Sequence, residues 1–412
     1  MDLYLYNSLT KQKELFSPID SSEVKLYTCG ITAYDYAHIG HGRKYVMDDI
    51  LKRTLEFNGF KVNHVQNVTD VGHLISDADE GEDKLEKGAK KQGKTVWEVS
   101  EFFTKDFYET MDRLNIQRPN IICKATDHIK EQIELIEKLF KNGYAYDTVE
   151  AVYFDTSKFE DYGKMFGQKL EDKKLAVRSE VKTDKNKRNN ADFALWFKRI
   201  GNFKDHVMHW DSPWGDGFPG WHIECSAMSM KYLGDQIDIH TGGEDHLSIH
   251  HPNEIAQSEG ATGKKPFSKF WVHYAFLMVD GTKMSKSLGN YYTIQDVLDK
   301  NIDPIALRYL YLGAHYKKPM NFTWKSLDAA SKGLKRLQQT VSNLKTSERT
   351  VLSEEKDQKI TEFRDKFNAA LNDDLNTSKS MAVLFDMLKS SISSEDKYDL
   401  AILFDEVLGL GL

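Results

Sequence analysis

Cysteine is scarce: the 412 residues hold three, Cys29, Cys123 and Cys225, far apart from one another. That is too few and too scattered for a disulfide framework, and it points to a reducing cytosol. No apolar run approaches the ~20 residues a membrane span needs. Met1-Asp2-Leu3-Tyr4 also lacks the basic and apolar regions of a signal peptide, so no membrane partner is expected. Positive charge is not in excess either, since 56 Lys and Arg against 63 Asp and Glu leave a net charge of −7. This excludes a histone-like, DNA-coating protein but leaves open RNA contact through a local basic face. What is present is 40% hydrophobic, 12% aromatic and 29% charged, the composition of a globular chain long enough for two or three domains.

Val24, Leu26 and Tyr27 read as a buried strand that passes through a glycine-bearing turn to a helix beginning near Gly42. Val46, Ile50, Leu51, Leu55 and Phe57 keep helical spacing until Gly59, and Lys61 to Val65 reads as the next strand. Asn67-Val68-Thr69-Asp70 then lies at that strand's carboxyl end, where open α/β sheets bind ligands. Asp77 to Lys94 is charged and glycine-dotted, a mobile loop on this reading, and residues 96–115 and 128–142 have amphipathic helical patterns. From Tyr144 to Asp205 short apolar pairs alternate with charge, and the basic run from Lys182 to Arg188 reads as a solvated loop. Beyond a Gly-Phe-Pro-Gly turn before Trp221, strands are expected at Ile237–His240 and Phe270–Met278, with a helix from His250 to Glu259 between them. After Asp303-Pro304 the pattern is helical, with Leu327, Leu334, Leu337, Val341 and Leu344 as a bundle stripe. The expected architecture is α/β: a Rossmann-like parallel-sheet catalytic domain in two halves, 1–125 and 206–300, around an inserted connective subdomain, 126–205. An all-α helical bundle, 301–412, follows.

The strand-to-helix turn at residues 27–43 aims backbone N–H groups and a positive helix end at one spot, which suits a phosphate. His38 and His41 add donors there, and Gly40 lets a ligand approach the backbone. Lys283-Met284-Ser285-Lys286-Ser287 follows the Asp280-Gly281 turn, and two lysines flanking a small flexible segment can clamp a transferring phosphate. His250 and Glu254, four apart on one helix face, make a zinc-type donor set when joined by the thiols of Cys29 and Cys225. From spacing alone, two buried cysteines and a capping His–Glu pair are the stronger reading.

Together, His38-Ile39-Gly40-His41 and Lys283–Ser287 resemble the signature pair of class I aminoacyl-tRNA synthetases in order and separation. Cys29-Gly30, the run Trp221-His222-Ile223-Glu224-Cys225-Ser226-Ala227-Met228, the stretch His240 to Asp245 and the stretch His250 to Gln257 look like the cysteinyl-tRNA synthetases. The resemblance covers nearly the whole chain. It implies ATP-dependent conversion of L-cysteine to cysteinyl-adenylate and transfer to the 3′ end of tRNA(Cys) by a cytoplasmic monomer. By the same resemblance, His38, His41, Lys283 and Lys286 act in catalysis, and ATP with Mg2+ meets His38, Gly40, His41, Gly243, Asp245 and Lys286. Cysteine meets Cys29, Gly30, Thr69 and Trp221, and one Zn2+ per chain is held by Cys29, Cys225, His250 and Glu254. Zinc as selector also answers a physical need, because cysteine and serine are nearly the same size and shape alone separates them poorly.

The sequence departs from the family pattern in places. Thr241 stands for a usual glycine, Ile249 for a proline, Pro252 for a glutamate and Gly42 for an alanine, none of them a proposed ligand. The chain also stops at Leu412 where typical members continue into a small domain that reads the anticodon. The resemblance admits two other readings: a ligase joining cysteine to an amino-sugar, as in mycothiol synthesis, and a non-catalytic nucleotide- or RNA-binding paralogue.

Overall fold

Strand Val24–Thr32 is buried along most of its length, as expected of a strand covered on both faces of a parallel sheet. In the computed structural model, which describes residues 2–71, 74–76, 80–166, 187–345 and 354–412, it is the centre of a five-stranded, wholly parallel sheet. The lateral order is Ser268–Tyr274, Ile237–Gly243, Val24–Thr32, Val62–Thr69, Ile121–Lys124. Numbered along the chain, that order is 3-2-1-4-5 read from the Ile121 edge, the doubly wound arrangement. Its switch point lies between Val24–Thr32 and Ile237–Gly243, and ligands of such sheets bind at the carboxyl ends there.

The helix after the first strand is Ile39–Phe57, so it begins before Gly42. His38 supplies the reason: its Nδ1 accepts from His41 N at 3.0 Å, an imidazole in the capping role usually filled by Ser or Asp. The expected strand Phe270–Met278 is split into Ser268–Tyr274 and Leu277–Val279. The Arg43 guanidinium donates to the carbonyls of Ala275 and Phe276 at 2.8 and 2.9 Å, satisfying backbone at the break. Leu277–Val279 then turns back into Thr282–Lys283. Asp280 and Gly281 both have positive φ, 47° and 77°, the conformation a two-residue hairpin turn needs.

The stretch expected to be a mobile loop contains a strand, Glu80–Asp83, and a helix, Lys84–Gln92; residues 77–79 lie outside the described residues. Asp83 starts the helix, its carboxylate accepting from Leu85 N (2.7 Å) and Glu86 N (3.1 Å). An antiparallel sheet is ordered Gly217–Pro219, Phe193–Lys198, Ala151–Phe154, Ala145–Asp147, so one of its edge strands lies beyond residue 205, the expected end of the inserted subdomain. The Gly-Phe-Pro-Gly segment is therefore a strand rather than a turn. Its glycines are required by closeness, since a Cβ on Gly217 would lie 2.0 Å from Phe197 O and one on Gly220 2.2 Å from Ala194 O. Pro219 is tolerated because this is an edge strand. Of the basic run 182–188 only Lys187 and Arg188 are among the described residues, and Arg188 reaches Asp155 at 3.4 Å and stacks over the Tyr146 ring.

The bundle comprises Ile305–Leu312, Trp324–Leu344, Glu354–Asn372, Thr377–Lys389 and Ser394–Leu408. Leu327, Leu334, Leu337 and Val341 form the buried stripe of its longest helix. Among the described residues no helix is long and apolar enough to cross a membrane.

Candidate active site and metal cluster

The pairing of the two central strands slips by one residue. Thr28 faces Gln66 but Ile31 faces Val68, so Cys29-Gly30 carries an extra residue. Such a bulge bends a strand and re-aims its side chains. Gly30 is fixed at it, since its N–H donates to Asn67 Oδ1 at 2.8 Å and a Cβ would fall 1.6 Å from Asn67 O. Helices Trp221–Leu233 and His250–Thr262 pack beside this bulge. The ligand atoms of Cys29, Cys225, His250 and Glu254 all lie within 4.8 Å of one another, each side chain buried. Glu254 Oε1 is 3.0 Å from His250 Nε2, yet the approach lacks hydrogen-bond geometry and leaves this buried oxygen unsatisfied.

A second donor group, Cys29, His240, His251 and Glu254, overlaps the first within the same spacing. His240 Nε2 meets Glu254 Oε2 at 2.9 Å, and His251 Nε2 lies 3.4 Å from Cys29 Sγ and its Nδ1 2.7 Å from His273. His222 approaches His250 Nδ1 at 2.9 Å. This imidazole shell was not anticipated from the motifs, although six of the 14 histidines fall between positions 222 and 273. The Cys225 thiol is pushed well up by its contact with Cys29 and by burial, and burial raises Cys29. Burial alone would raise Glu254 too, but His240 and His250 hold its carboxyl below the usual range. A set of this kind takes a divalent cation with release of thiol protons.

His38 and His41 stack at 3.6 Å between ring centroids. Burial pushes His38 down to about 4, so at neutral pH it is an uncharged ring. Gly40 lies where the two signature motifs meet, for a Cβ there would come 3.0 Å from the His38 ring and 3.1 Å from Met284 Cε. Ile39 N donates to Tyr292 O at 2.9 Å and the Tyr291 ring abuts His38, sewing the lysine-bearing loop to the histidines. Lys286 forms an ion pair with Asp35 and lies over the Tyr291 ring, while Lys283 lies over the Phe276 ring at 5.0 Å. Asn290 braces the loop by accepting from Ser285 N and donating to Lys283 O. Asp245 is exposed beside Gly243, whose Cβ would clash with its carboxylate at 2.3 Å, and its charge is near enough to act on His38.

Thr69 ends strand Val62–Thr69, buried, its hydroxyl accepting from Asn67 Nδ2 at 3.2 Å. Trp221 opens its helix half-buried, its indole against the His250 ring at 4.3 Å. Glu224, one turn on, is a further residue that the motifs did not single out: it is fully buried, both carboxylate oxygens lack hydrogen bonds, and burial pushes it well above the usual carboxylate range. Thr241, the departure from glycine, donates to Asp48 Oδ1 at 2.6 Å. Pro252 sits in the first turn of its helix, where its missing N–H costs nothing.

A family model described as "tRNA synthetases class I (C) catalytic domain" matches residues 15–332, and a "DALR domain" model matches residues 366–396. The cysteine–tRNA ligase of Treponema denticola is 46% identical over 430 residues, an alignment spanning 100% of this chain and 87% of the relative. Cysteine–tRNA ligase 1 of Burkholderia lata is 46% identical over 413 residues, spanning 100% of this chain and 85% of the relative. Among solved structures, Mycobacterium tuberculosis methionyl-tRNA synthetase bound by methionyl-adenylate matches with a TM-score of 0.63 at 14% identity, covering 94% of this chain and 90% of its own. The ternary complex of Agrobacterium radiobacter K84 agnB2 LeuRS matches at 0.67 and 12% identity, covering 96% and 84%. At such identities these two structures speak for the fold alone.

Proposed function

This chain belongs to the cysteine–tRNA ligase family of class I aminoacyl-tRNA synthetases, and from that premise we propose how its residues divide the work. The enzyme activates L-cysteine with ATP and transfers the cysteinyl group to tRNA(Cys). Relatives of this kind, matched over the whole chain, do not favour the amino-sugar ligase or the non-catalytic reading.

The observation that carries the residue assignment is the convergence of Cys29, Cys225, His250 and Glu254 within 4.8 Å at the sheet's switch point. Two thiols, an imidazole and a carboxylate with an unsatisfied buried oxygen fit a zinc ion. Zinc held there supplies a soft Lewis acid that favours the substrate thiol over the serine hydroxyl. His240 on Glu254 and His222 on His250 orient those ligands. Gly30, Thr69 and Trp221 frame the amino acid.

The substrate carboxylate attacks the α-phosphorus of ATP and pyrophosphate leaves. The carboxylate is already ionised, so no protein base is required. His38 and His41, neutral donors at the helix N-terminus, stabilise the charge that builds on the phosphates, and Lys286 and Lys283 offset that of the departing pyrophosphate. Gly243 and Asp245 receive the nucleoside. A ribose hydroxyl at the 3′ end of the tRNA then takes the cysteinyl group and AMP leaves, with the helical bundle contacting the tRNA. The reading includes one Zn2+ per chain, ATP as its magnesium complex, and a single chain in the cytosol as the working unit.

Cysteine-dependent ATP–pyrophosphate exchange, followed by transfer of labelled cysteine to tRNA(Cys), tests it. Exchange with cysteine but not serine, and subsequent charging, is the expected result. Absence of exchange, or transfer to glucosaminyl-inositol in place of tRNA, would overturn it.

A further inference from the structure

An amino acid brings its own positive charge into the pocket, and a buried ammonium without a counter-charge is costly. The carboxylates at this end of the sheet are nearly all committed. Asp48 accepts from Thr241 (2.6 Å) and pairs with Lys44 (2.8 Å). Asp70 accepts from Thr126 N and Oγ1 at 2.9 and 2.7 Å. Asp83 caps its helix and meets His206 at 3.3 Å. Glu254 is engaged by His240 within the donor cluster. Glu224 differs from all of these, because it is fully buried with neither oxygen hydrogen-bonded.

Its neighbours show which way it faces. Thr69, Asp70 and His250 act on it, the Thr69 hydroxyl being close without reaching hydrogen-bond geometry. It follows Trp221 by three residues and precedes Cys225 by one, so Trp221, Glu224 and Cys225 project from adjoining parts of one helix face. A thiol donor and an uncommitted carboxylate thus share one helix face, as the thiol and ammonium of cysteine, only two carbons apart, demand. Gly30 and Trp221 are half-buried while Cys29, Thr69 and Glu224 are buried.

We propose that Glu224 is the residue that receives the α-ammonium group of the substrate cysteine. The inference rests on the reading of cysteine as substrate. Glu224→Gln keeps the shape but cannot give up a proton to become the counter-charge that an arriving ammonium requires. Metal content by elemental analysis stays at the wild-type level. In pyrophosphate exchange the cysteine KM rises by roughly 30-fold or more while the ATP KM moves by less than about threefold. Inhibition by mercaptopropionate, which lacks the ammonium, is the same in variant and wild type, whereas a merely structural role would weaken both ligands alike. An unchanged cysteine KM, or parallel loss of both ligands, overturns the inference while wild-type exchange leaves the substrate reading standing; a wild type that does not exchange with cysteine removes that reading, and the inference with it. Should the variant not fold, a crystal of the wild-type chain with the sulfamoyl analogue of cysteinyl-adenylate decides. An ammonium nitrogen within hydrogen-bond distance of Glu224 supports the inference, and one paired elsewhere overturns it.

Discussion

Cys225 shows how much can turn on one atom. Serine in its place keeps the shape but replaces a thiol by an alcohol that a zinc-type site does not deprotonate. Cys225→Ser therefore loses metal, by elemental analysis, together with cysteine activation, by exchange; retention of both contradicts the ligand assignment. His64 makes a different point, about the fold. It is buried, its Nε2 2.8 Å from Thr28 Oγ1 and its Nδ1 without a partner. Burial pushes it from 6.5 down to about 3. Below pH 6.5 the unfolded chain binds a proton that the folded chain refuses, so stability falls as pH falls from 6.5 toward 3, by about 1.4 kcal/mol per pH unit. In His64→Gln that loss is gone, so the drop in urea-unfolding free energy between pH 7 and pH 5 shrinks by about 2 kcal/mol. Equal drops in both proteins would refute it.

Among the elements, the hairpin loop carrying Lys286 is anchored to the histidine helix by Ile39 and Tyr292 and by Tyr291. Its lysine is paired with Asp35, yet stays exposed. Exposed pairs of this kind contribute little to stability, so the charge is free to meet a phosphate. Lys286→Ala should slow adenylate formation by about 10²-fold or more in rapid-quench experiments while cysteine binding changes little; an unaltered rate contradicts the role. The elements also show what a linear reading reaches. Helical spacing from Val46 to Leu55 and the continuous burial of parallel strands depend on neighbours in sequence, and both were legible. The Cys29-Gly30 bulge was not, because it exists only in register with Gln66 and Val68. Nor was the early start of the Ile39–Phe57 helix, since histidine is an unusual cap. The four donor residues could be named from motifs, whereas the histidines behind them and the uncommitted Glu224 became visible only once strand ends and helix faces were brought together.

At the scale of the whole molecule, Arg308 joins parts of the chain that no short-range pattern connects. It is fully buried on helix Ile305–Leu312. It donates to Leu408 O at 2.6 Å, to Leu114 O and Asn115 O at 3.1 and 3.0 Å, and to Asp49 Oδ2 at 2.5 Å. Asp49 lies on helix Ile39–Phe57 and also receives Arg53 (2.8 Å) and Gln117 N (2.8 Å). Gly409, at φ 64°, makes room for the guanidinium, since a Cβ there would lie 2.7 Å from its carbon. The end of the last helix, helix Ile39–Phe57 and the loop after Arg113 are thus fastened through one side chain. Arg308→Met leaves those carbonyls and Asp49 short of a donor in a dry interior, a loss of about 3–5 kcal/mol in denaturant unfolding. Asp49→Asn in the same chain removes a buried carboxylate that has lost one of its two arginines, so the double variant should recover at least about 1 kcal/mol relative to the sum of the singles. Additive losses would mean that the two residues stabilise the junction independently, Arg308 through the carbonyls it meets rather than through its pair with Asp49.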